Sequence, residues 1–208
     1  MMVATKSWGE QKIDMDIQDR RVKRTQQLLA KALIALTLEK GYDAVTIRDI
    51  TERADIGYAT FFRHYHHKDA LLQDVSEVVM AELKNLLPAA PDADAVVIGT
   101  TLFQYVRENN NIIRVLLSSR SSTSLVQHII DIATQEVSNE NTPLEGSAVP
   151  IEIAAYHLVN ATIALIQWWL DHEMPYAAER MGIIFHELII QPTRSVAFSP
   201  ISLDAENV

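Results

Sequence analysis

The sequence contains no cysteine, which excludes disulfide bonds, zinc–thiolate sites and cysteine nucleophiles. The N-terminal residues mix charged and polar groups where a secretory signal would need an apolar run, and no segment reaches about eighteen uninterrupted apolar residues. Internal repeats and low-complexity tracts are also absent. We therefore expect a soluble cytoplasmic protein that makes no contact with a membrane. Apolar residues form 48% of the 208-residue chain, which is enough to bury a core.

Negative charge is concentrated in the second part of the chain. Residues 1–87 carry 13 Lys and Arg against 13 Asp and Glu, whereas residues 88–208 carry 5 against 14, which gives the net charge of −9. Between residues 20 and 68, ten basic residues stand against five acidic ones, so this stretch has a charge of +5 before any histidine is protonated. It is the only candidate for a surface that binds a polyanion.

Apolar residues recur at three- and four-residue spacing in almost every segment from Arg20 onward, which predicts an all-α protein. On the first helix this spacing places Leu28 beside Leu29 and Leu33 on the apolar side, and Gly41 supplies a C-terminal cap. Pro192 predicts that the last helix has already ended. The predicted helices span residues 21–40, 46–54, 58–64, 68–87, 92–108, 111–118, 122–139, 151–172 and 176–190.

Three helix starts are crowded between Thr46 and Lys68. Thr46, with Asp49 three residues later, has the form of a capping box. Asp55 occupies a turn position that requires positive φ, which Asp is among the few residues to tolerate. Two short helices joined by a three-residue turn that contains an apolar Ile56 are typical of a helix-turn-helix. In that motif the second helix enters the major groove of DNA.

The stretch "KALIALTLEKGYDAVTIRDITERADIGYATFFRHYHHKDALL" resembles the DNA-binding region of TetR/AcrR-family transcriptional regulators. The resemblance lies in the Gly-Tyr pair, the Thr-Ile-x-x-Ile opening, the Ala-Thr-Phe-Phe-Arg-His-Tyr helix and the Lys-Asp-Ala-Leu-Leu opening. It implies a helix-turn-helix DNA-binding domain (20–67) and a helical ligand-binding and dimerisation domain (68–192). The segments outside these domains are expected to be a mobile arm (1–19) and a mobile tail (193–208). The resemblance also implies a repressor without a cofactor, released from a palindromic DNA operator by a small molecule.

The resemblance places the DNA contacts on the short helices and their termini. Phe62 stands where the family often has a tyrosine that contacts a phosphate, and phenylalanine lacks the hydroxyl. Thr46 and Lys68 are expected to meet phosphates at helix N-termini. Four more basic residues are expected either to contact the DNA backbone or to reach a minor groove: Arg20, Arg21, Lys23 and Arg24. The alternative is that they form an ordinary solvated helix start. The expected DNA-binding residues are Thr46, Gly57, Tyr58, Ala59, Thr60, Phe62, Arg63, His64 and Lys68.

The segment 151–172 is apolar almost all round, which indicates a second surface such as a symmetric dimer partner. A central helix of a single core is the alternative. The expected dimer residues are Ala154, Ala155, Ala161, Ala164, Trp169, Ile184, Phe185 and Leu188. Polar groups within apolar segments also predict a pocket for a hydrophobic ligand. Its expected lining comprises Leu83, Leu87, Phe103, Gln104, Tyr105, Leu116, Leu117, Tyr156, His157, Asn160, Gln167 and Trp168.

Other chemistries receive little support from the sequence. His64, His66 and His67 lack an accompanying carboxylate or cysteine at ligand spacing, so a metal site is not expected. The serines at 118–122 with His128 and Asp131 lack a nucleophile-elbow glycine pattern, and no glycine loop for phosphate exists. The alternatives are an activator or a regulator of the same fold that is controlled by a protein partner and, with less support, an all-α enzyme.

Overall fold

The computed structural model describes residues 8–87, 94–117 and 123–198. Within these ranges the chain forms helices and turns, without a strand longer than one isolated bridge between Pro143 and Phe198. The predicted all-α class is therefore confirmed. The helices are α1 (Trp8–Lys40), α2 (Ile47–Ala54), α3 (Tyr58–His64), α4 (Lys68–Leu86), α5 (Ala95–Glu108), α6 (Asn110–Leu117), α7 (Thr123–Glu140), α8 (Ile151–Asp171), α9 (Ala178–Phe185) and α10 (Gln191–Ala197).

The chain divides into two compact units, the first ending at Val75 and the second beginning at Ser76. The division falls inside α4, whereas the sequence places the domain boundary at its start, Lys68. In the first unit, α1 packs on α2, and a 3₁₀ turn (Tyr42–Ala44) connects them. The core of this unit contains fully buried side chains from four helices, namely Leu29, Leu33, Ile50, Phe61 and Leu71.

The second unit is organised by α5 and α9, which cross at two glycines. A Cβ atom on Gly182 would lie 2.8 Å from the carbonyl oxygen of Val96, and one on Gly99 would lie 3.0 Å from the Cα of Gly182. Larger residues would therefore force the helices apart. Around the crossing, Phe103 packs edge-to-face on Trp169, with ring centroids 5.2 Å apart. Both side chains are fully buried.

Among the described residues, α8 is the helix whose length and composition would allow it to cross a membrane. Only 33% of its most apolar stretch is buried within the chain. The buried side includes Ala155, Val159 and Leu170, and the opposite side exposes Ile153 and Tyr156. Burial within one chain thus covers only part of the apolar surface of α8.

The ends of the described chain correct two predictions. α1 begins at Trp8 rather than at residue 21, so residues 8–19 of the segment predicted to be a mobile arm are helical. Beyond α9, a π-helical turn (His186–Ile190) leads into α10, so residues 193–197 are helical as well. Pro192 lies in the first turn of α10, where the missing N–H costs little. Phe198 of the predicted mobile tail is also described, and residues 1–7 and 199–208 lie outside the described residues.

Candidate nucleic-acid interface

The start of α2 is closed by the predicted capping box. The backbone N–H of Asp49 donates to the Thr46 hydroxyl at 3.2 Å, and the backbone N–H of Thr46 donates to the Asp49 carboxylate at 2.7 Å. The Lys40 ammonium lies 2.8 Å from the same carboxylate. Hydrogen bonds from Lys40 and then from Thr46 hold the pKa of Asp49 well below its usual range. The cap therefore carries a carboxylate whose charge is balanced locally.

The Thr46 side chain also donates to Asp49, at 2.6 Å, so its hydroxyl is already committed. The phosphate contact predicted at Thr46 therefore relies on the backbone N–H groups of the helix start and not on this hydroxyl. The N–H groups of the first turn of α2 remain the basis for a phosphate contact there, since a helix start attracts anions. Arg48 in that turn is exposed and basic, and no sequence pattern predicted a role for it.

The turn between α2 and α3 has the predicted left-handed residue. Asp55 has φ 54° and ψ 43°, and the N–H of Ile56 donates to the Thr51 carbonyl at 3.0 Å. This hydrogen bond fixes the direction in which the chain enters α3. The aspartate prediction is confirmed, because a short polar residue can occupy this region at modest cost.

The third helix buries one side and exposes the other. Phe61 is fully buried and packs on Tyr65, whose hydroxyl donates to Asp74 in α4. Burial, followed by that bond, raises the pKa of Tyr65 well above its usual range. Thr60 and His64 are half-buried between the two sides. The outward side carries five exposed residues: Gly57, Tyr58, Ala59, Phe62 and Arg63.

The hydrogen bonds of the outward side are partly internal. The Arg63 guanidinium donates to the Thr60 hydroxyl at 2.8 Å, so these two residues form one polar group. Tyr58 and Phe62 form an edge-to-face aromatic pair, with centroids 5.2 Å apart. An open groove adjoins this pair and is lined by Arg48, Thr51, Glu52, Asp55, Ile56, Gly57 and Tyr58.

Lys68 has a different role from the one predicted. Its ammonium donates to the carbonyls of Tyr42 and Val45 at 2.8 and 2.9 Å, and it lies 4.3 Å from the centre of the Tyr42 ring. The Tyr42 hydroxyl donates to Asp69. Lys68 therefore ties the loop after α1 to the start of α4, and its ammonium is engaged by two backbone carbonyls. This corrects its assignment as a phosphate-contacting side chain.

Other charged groups of this unit lie on α1, on α2 and just before α4. Arg20, Arg21, Lys23 and Arg24 are exposed on α1. Arg53 donates two hydrogen bonds to Glu39, at 2.9 and 2.6 Å, which lowers the pKa of the glutamate. His67 accepts the backbone N–H of Ala70 at 3.1 Å and so caps the start of α4.

The expected ligand-lining residues do not form one buried group. Tyr105 is buried, its hydroxyl donates to Glu82 at 2.7 Å, and burial followed by this bond raises its pKa well above the usual range. In contrast, Tyr156 and Trp168 are 49% and 43% exposed, and His157 is exposed too. These three positions are corrected, because they lie on the outer side of α8. Phe103 and Leu116 are buried, and the intermediate positions are Leu83, Leu87, Gln104, Leu117, Asn160 and Gln167.

Several of these intermediate polar groups have partners within the chain. The Asn160 amide donates to the Tyr156 carbonyl at 2.8 Å, and Gln167 donates to the Leu117 carbonyl at 3.3 Å. Gln104 approaches Glu179 at 3.4 Å. Among the described residues of this unit, two buried side-chain atoms lack a hydrogen-bond partner, the Thr134 hydroxyl and Nδ1 of His186. Neither residue was predicted from the sequence.

The expected dimer residues divide by burial. Ala154, Ala155, Trp169 and Phe185 are buried within the single chain, so their assignment to an interface is corrected. Periodicity alone cannot tell which apolar side of a helix meets its own domain. Ala161 and Ile184 are half-buried, whereas Ala164 is exposed and Leu188 is 67% exposed. The serines at 118–122 and the His128 side chain, weighed as a triad, lie outside the described residues.

Comparison with known proteins gives two family matches. Residues 29–75 match the tetR family of bacterial regulatory proteins, and residues 98–191 match a transcriptional regulator C-terminal region. The HTH-type transcriptional regulator YxbF of Bacillus subtilis is 33% identical over 122 residues, which are 58% of this chain and 30% of that protein. The chain spans 30–65% of the length of the curated relatives that it matches.

Two solved structures illustrate the likeness of fold. A putative TetR-family regulator from Syntrophomonas wolfei has a TM-score of 0.67 at 14% identity, covering 88% of this chain and 99% of its own. SmeT, the repressor of a Stenotrophomonas maltophilia multidrug efflux pump, has a TM-score of 0.63 at 16% identity and covers 88% and 97%. SmeT has also been solved in complex with triclosan. At these identities the likeness shows the fold alone.

Proposed function

The chain belongs to the TetR family of bacterial transcriptional regulators, and we propose that it binds a palindromic DNA operator as a homodimer and represses transcription until a small hydrophobic ligand releases it. The family is not enzymatic, which agrees with the function expected from the sequence. The proposal depends mainly on the two sides of α3, one buried and one exposed. Its inner side is fixed by buried Phe61, and its outer side presents Tyr58, Ala59, Phe62 and Arg63.

DNA binding would use the charge of the first unit. Arg48 and Arg63 flank the outward side of α3, and a cluster of four cations lies on α1. Contacts from cations to phosphates position the protein, whereas contacts from α3 to base edges select the sequence. Lys68 and the Thr46 hydroxyl are left out of this assignment because both groups are engaged internally.

The test is the salt dependence of binding to a duplex that has been selected from a random library. The logarithm of the affinity should fall with the logarithm of salt at a slope of about −0.9 per neutralised phosphate. Arg48→Ala should weaken binding to all sequences and reduce that slope by about 1 per half-site. Arg53→Ala is the matched control, because its guanidinium is paired with Glu39. Equal slopes for the wild type and Arg48→Ala would contradict the assigned phosphate contact.

Dimerisation is proposed for the uncovered side of α8, the exposed side of α9 and the turn after α9. Ile153, Ala164, Ile183 and Leu188 are all exposed there, and three of them are large apolar side chains. Apolar side chains left in water make no hydrophobic contribution, whereas burial against a second copy would stabilise the assembly. A twofold dimer would present two α3 helices to half-sites about one helical turn apart.

Ligand binding is proposed for the interior of the second unit. The aromatic side chains of Phe103, Trp169 and Phe185 make this interior suited to an apolar molecule. The unpartnered Nδ1 of His186 and hydroxyl of Thr134 are the candidate polar contacts, since a buried polar atom without a partner costs about 1–3 kcal/mol. The triclosan complex of SmeT is a precedent in a protein of the same fold.

The proposed release is tested by a thermal-shift screen of hydrophobic compounds, followed by operator binding in the presence of each hit. A hit that stabilises the protein and weakens operator binding supports the proposal. Allosteric coupling of about 1–3 kcal/mol would lower operator affinity about 5- to 150-fold. Hits that bind without changing the affinity for DNA would contradict ligand release. An effect only in the opposite direction would favour an activator.

A further inference from the structure

Tyr58 and Phe62 form an exposed aromatic pair on the outward side of α3. Their side chains are 55% and 43% exposed, and their rings meet edge-to-face with an interplanar angle of 66°. Phe62 also packs edge-to-face on Phe61, at 5.5 Å, and Phe61 is fully buried. The exposed pair is therefore braced against the core, which limits the side-chain entropy lost when it binds a partner.

The aromatic pair and its neighbour Ala59 offer mainly apolar groups. Ala59 presents a methyl group and Phe62 a hydrocarbon ring, while the Arg63 guanidinium beside them gives one of its N–H donors to the Thr60 hydroxyl at 2.8 Å. The Tyr58 hydroxyl is the polar group that belongs to the aromatic pair itself. A surface of this composition distinguishes partners mainly by apolar contact.

The four bases differ in what they offer to such a surface. In the major groove, thymine alone exposes a methyl group, at C5, while the other base edges present donors and acceptors. We propose that Tyr58, Ala59 and Phe62 recognise thymine C5-methyl groups, so that the operator carries thymine at one or more defined positions in each half-site. The inference rests on the proposed function, in which α3 enters the major groove.

Charge complementarity identifies DNA as the occupant of this apolar patch. Arg63 lies on the same side of α3, and Arg48 lines the groove beside Tyr58. The stretch from residue 20 to residue 68 carries ten basic residues against five acidic ones. Cations around an apolar centre fit the major groove, where phosphates line both edges and base edges form the floor.

Phe62 differs from a tyrosine at the same position because it lacks the hydroxyl group. A tyrosine at position 62 could direct its hydroxyl to a phosphate, but Phe62 has only ring carbons to offer. Its contribution to binding is thus expected to depend on the methyl group it meets rather than on salt. Removing one buried methyl group should weaken binding about fourfold.

The experiment replaces each thymine of a selected operator with deoxyuridine, which lacks the methyl group and keeps the base pair. At one or more positions in each half-site, the replacement should weaken wild-type binding about fourfold per methyl group. Phe62→Ala or Tyr58→Ala should bind the thymine and uracil duplexes with nearly equal affinity. Phe62→Tyr, which keeps the ring, should retain the preference for thymine.

Controls separate this reading from loss of structure. Each variant should keep its helical circular dichroism and the salt slope of its binding to unrelated DNA. Uracil operators that bind as tightly as thymine operators, or a methyl effect that persists fully in both alanine variants, would overturn the inference while leaving DNA binding intact. Failure of the wild type to bind any duplex would refute the proposed function, and the inference with it.

Discussion

At the scale of single residues, Asp49 connects local structure to pH dependence. Its carboxylate closes the cap of α2 and accepts from Lys40, and these bonds lower its pKa below the ordinary value of 3.8. A carboxyl group whose pKa is lower in the folded state stabilises the protein at pH values above its unfolded-state pKa. This stabilisation is lost as the pH falls through the folded-state pKa. Asp49→Asn should therefore be destabilising near neutral pH, and progressively less so below about pH 4.

The measurement is urea unfolding of the wild type and Asp49→Asn over a descending series of pH values. Thr46→Ser is the matched control, because serine keeps the hydroxyl that completes the cap, and it should preserve the pH dependence. A stability difference between wild type and Asp49→Asn that stays constant from neutral pH to about pH 3 would show that the ionised carboxylate contributes nothing specific.

Whether the role of a residue can be predicted from the sequence depends on how far its partners lie along the chain. The cap at Thr46 and the positive φ of Asp55 follow from positions within a few residues, and both were predicted. Lys68 was assigned to a phosphate from its place at a helix N-terminus. Its actual partners, the carbonyls of Tyr42 and Val45, lie more than twenty residues away along the chain. Their proximity is a product of tertiary folding, which a local pattern does not contain.

At the scale of helices, the α5–α9 crossing gives a direct test of packing. A Cβ on Gly182 would stand 2.4 Å from the Thr100 hydroxyl oxygen, 2.7 Å from its backbone nitrogen and 2.8 Å from the Val96 carbonyl oxygen. Two of these atoms belong to the backbone and cannot move without shifting α5. Gly182→Ala should thus lose about 1–3 kcal/mol to overpacking, offset in part by about 1 kcal/mol of helix propensity.

Chemical denaturation checks this expectation against a second glycine. A Cβ on Gly57 would meet only the Thr60 hydroxyl, at 3.5 Å, and its backbone φ of −61° suits any residue. Gly57→Ala should leave the free energy of unfolding within about 0.5 kcal/mol of the wild type. A Gly182 variant as stable as the Gly57 variant would mean that the two helices can separate freely.

Helix existence was easier to predict than helix ends. The observed bounds of α3 and α8 are close to the predicted ones. The helical chain after α9 was instead predicted to end before Pro192. A π-helical turn changes the hydrogen-bonding register there, and Pro192 falls in the first turn of α10. Buried Thr193, Ala197 and Phe198 show that tertiary packing outweighed the local stop signal.

At the scale of the whole molecule, the sequence predicted that α8 is apolar on more than one side, but not which side faces the core of its own unit. Trp169 and Phe185 were expected at an interface, yet both lie in the core of their own unit. Helical periodicity specifies which residues share a side, and only the packing of the other helices determines which side faces inward. The apolar residues that stay exposed, including Ile153 on α8 and Leu188 in the turn after α9, form the surface to be tested for dimerisation.

The dimer proposal predicts that Leu188→Glu yields a monomer. Leu188 is 67% exposed in the single chain, so the substitution should leave the monomer folded while placing two charges at a twofold contact. Val97→Glu on α5 is the matched control, since Val97 is 56% exposed and lies outside the proposed surface. Sedimentation equilibrium at about micromolar concentration should find a dimer for the wild type and for Val97→Glu.

The same variant links assembly to DNA recognition. A monomer meets one half-site at a time, so Leu188→Glu should lose the affinity gained from simultaneous contact with both halves of a palindrome. Its affinity for an isolated half-site should match that of Val97→Glu, because α3 is unchanged. A Leu188→Glu protein that remains dimeric would exclude this residue from the interface. A monomeric variant with undiminished affinity for the palindrome would instead show that operator recognition does not require the dimer.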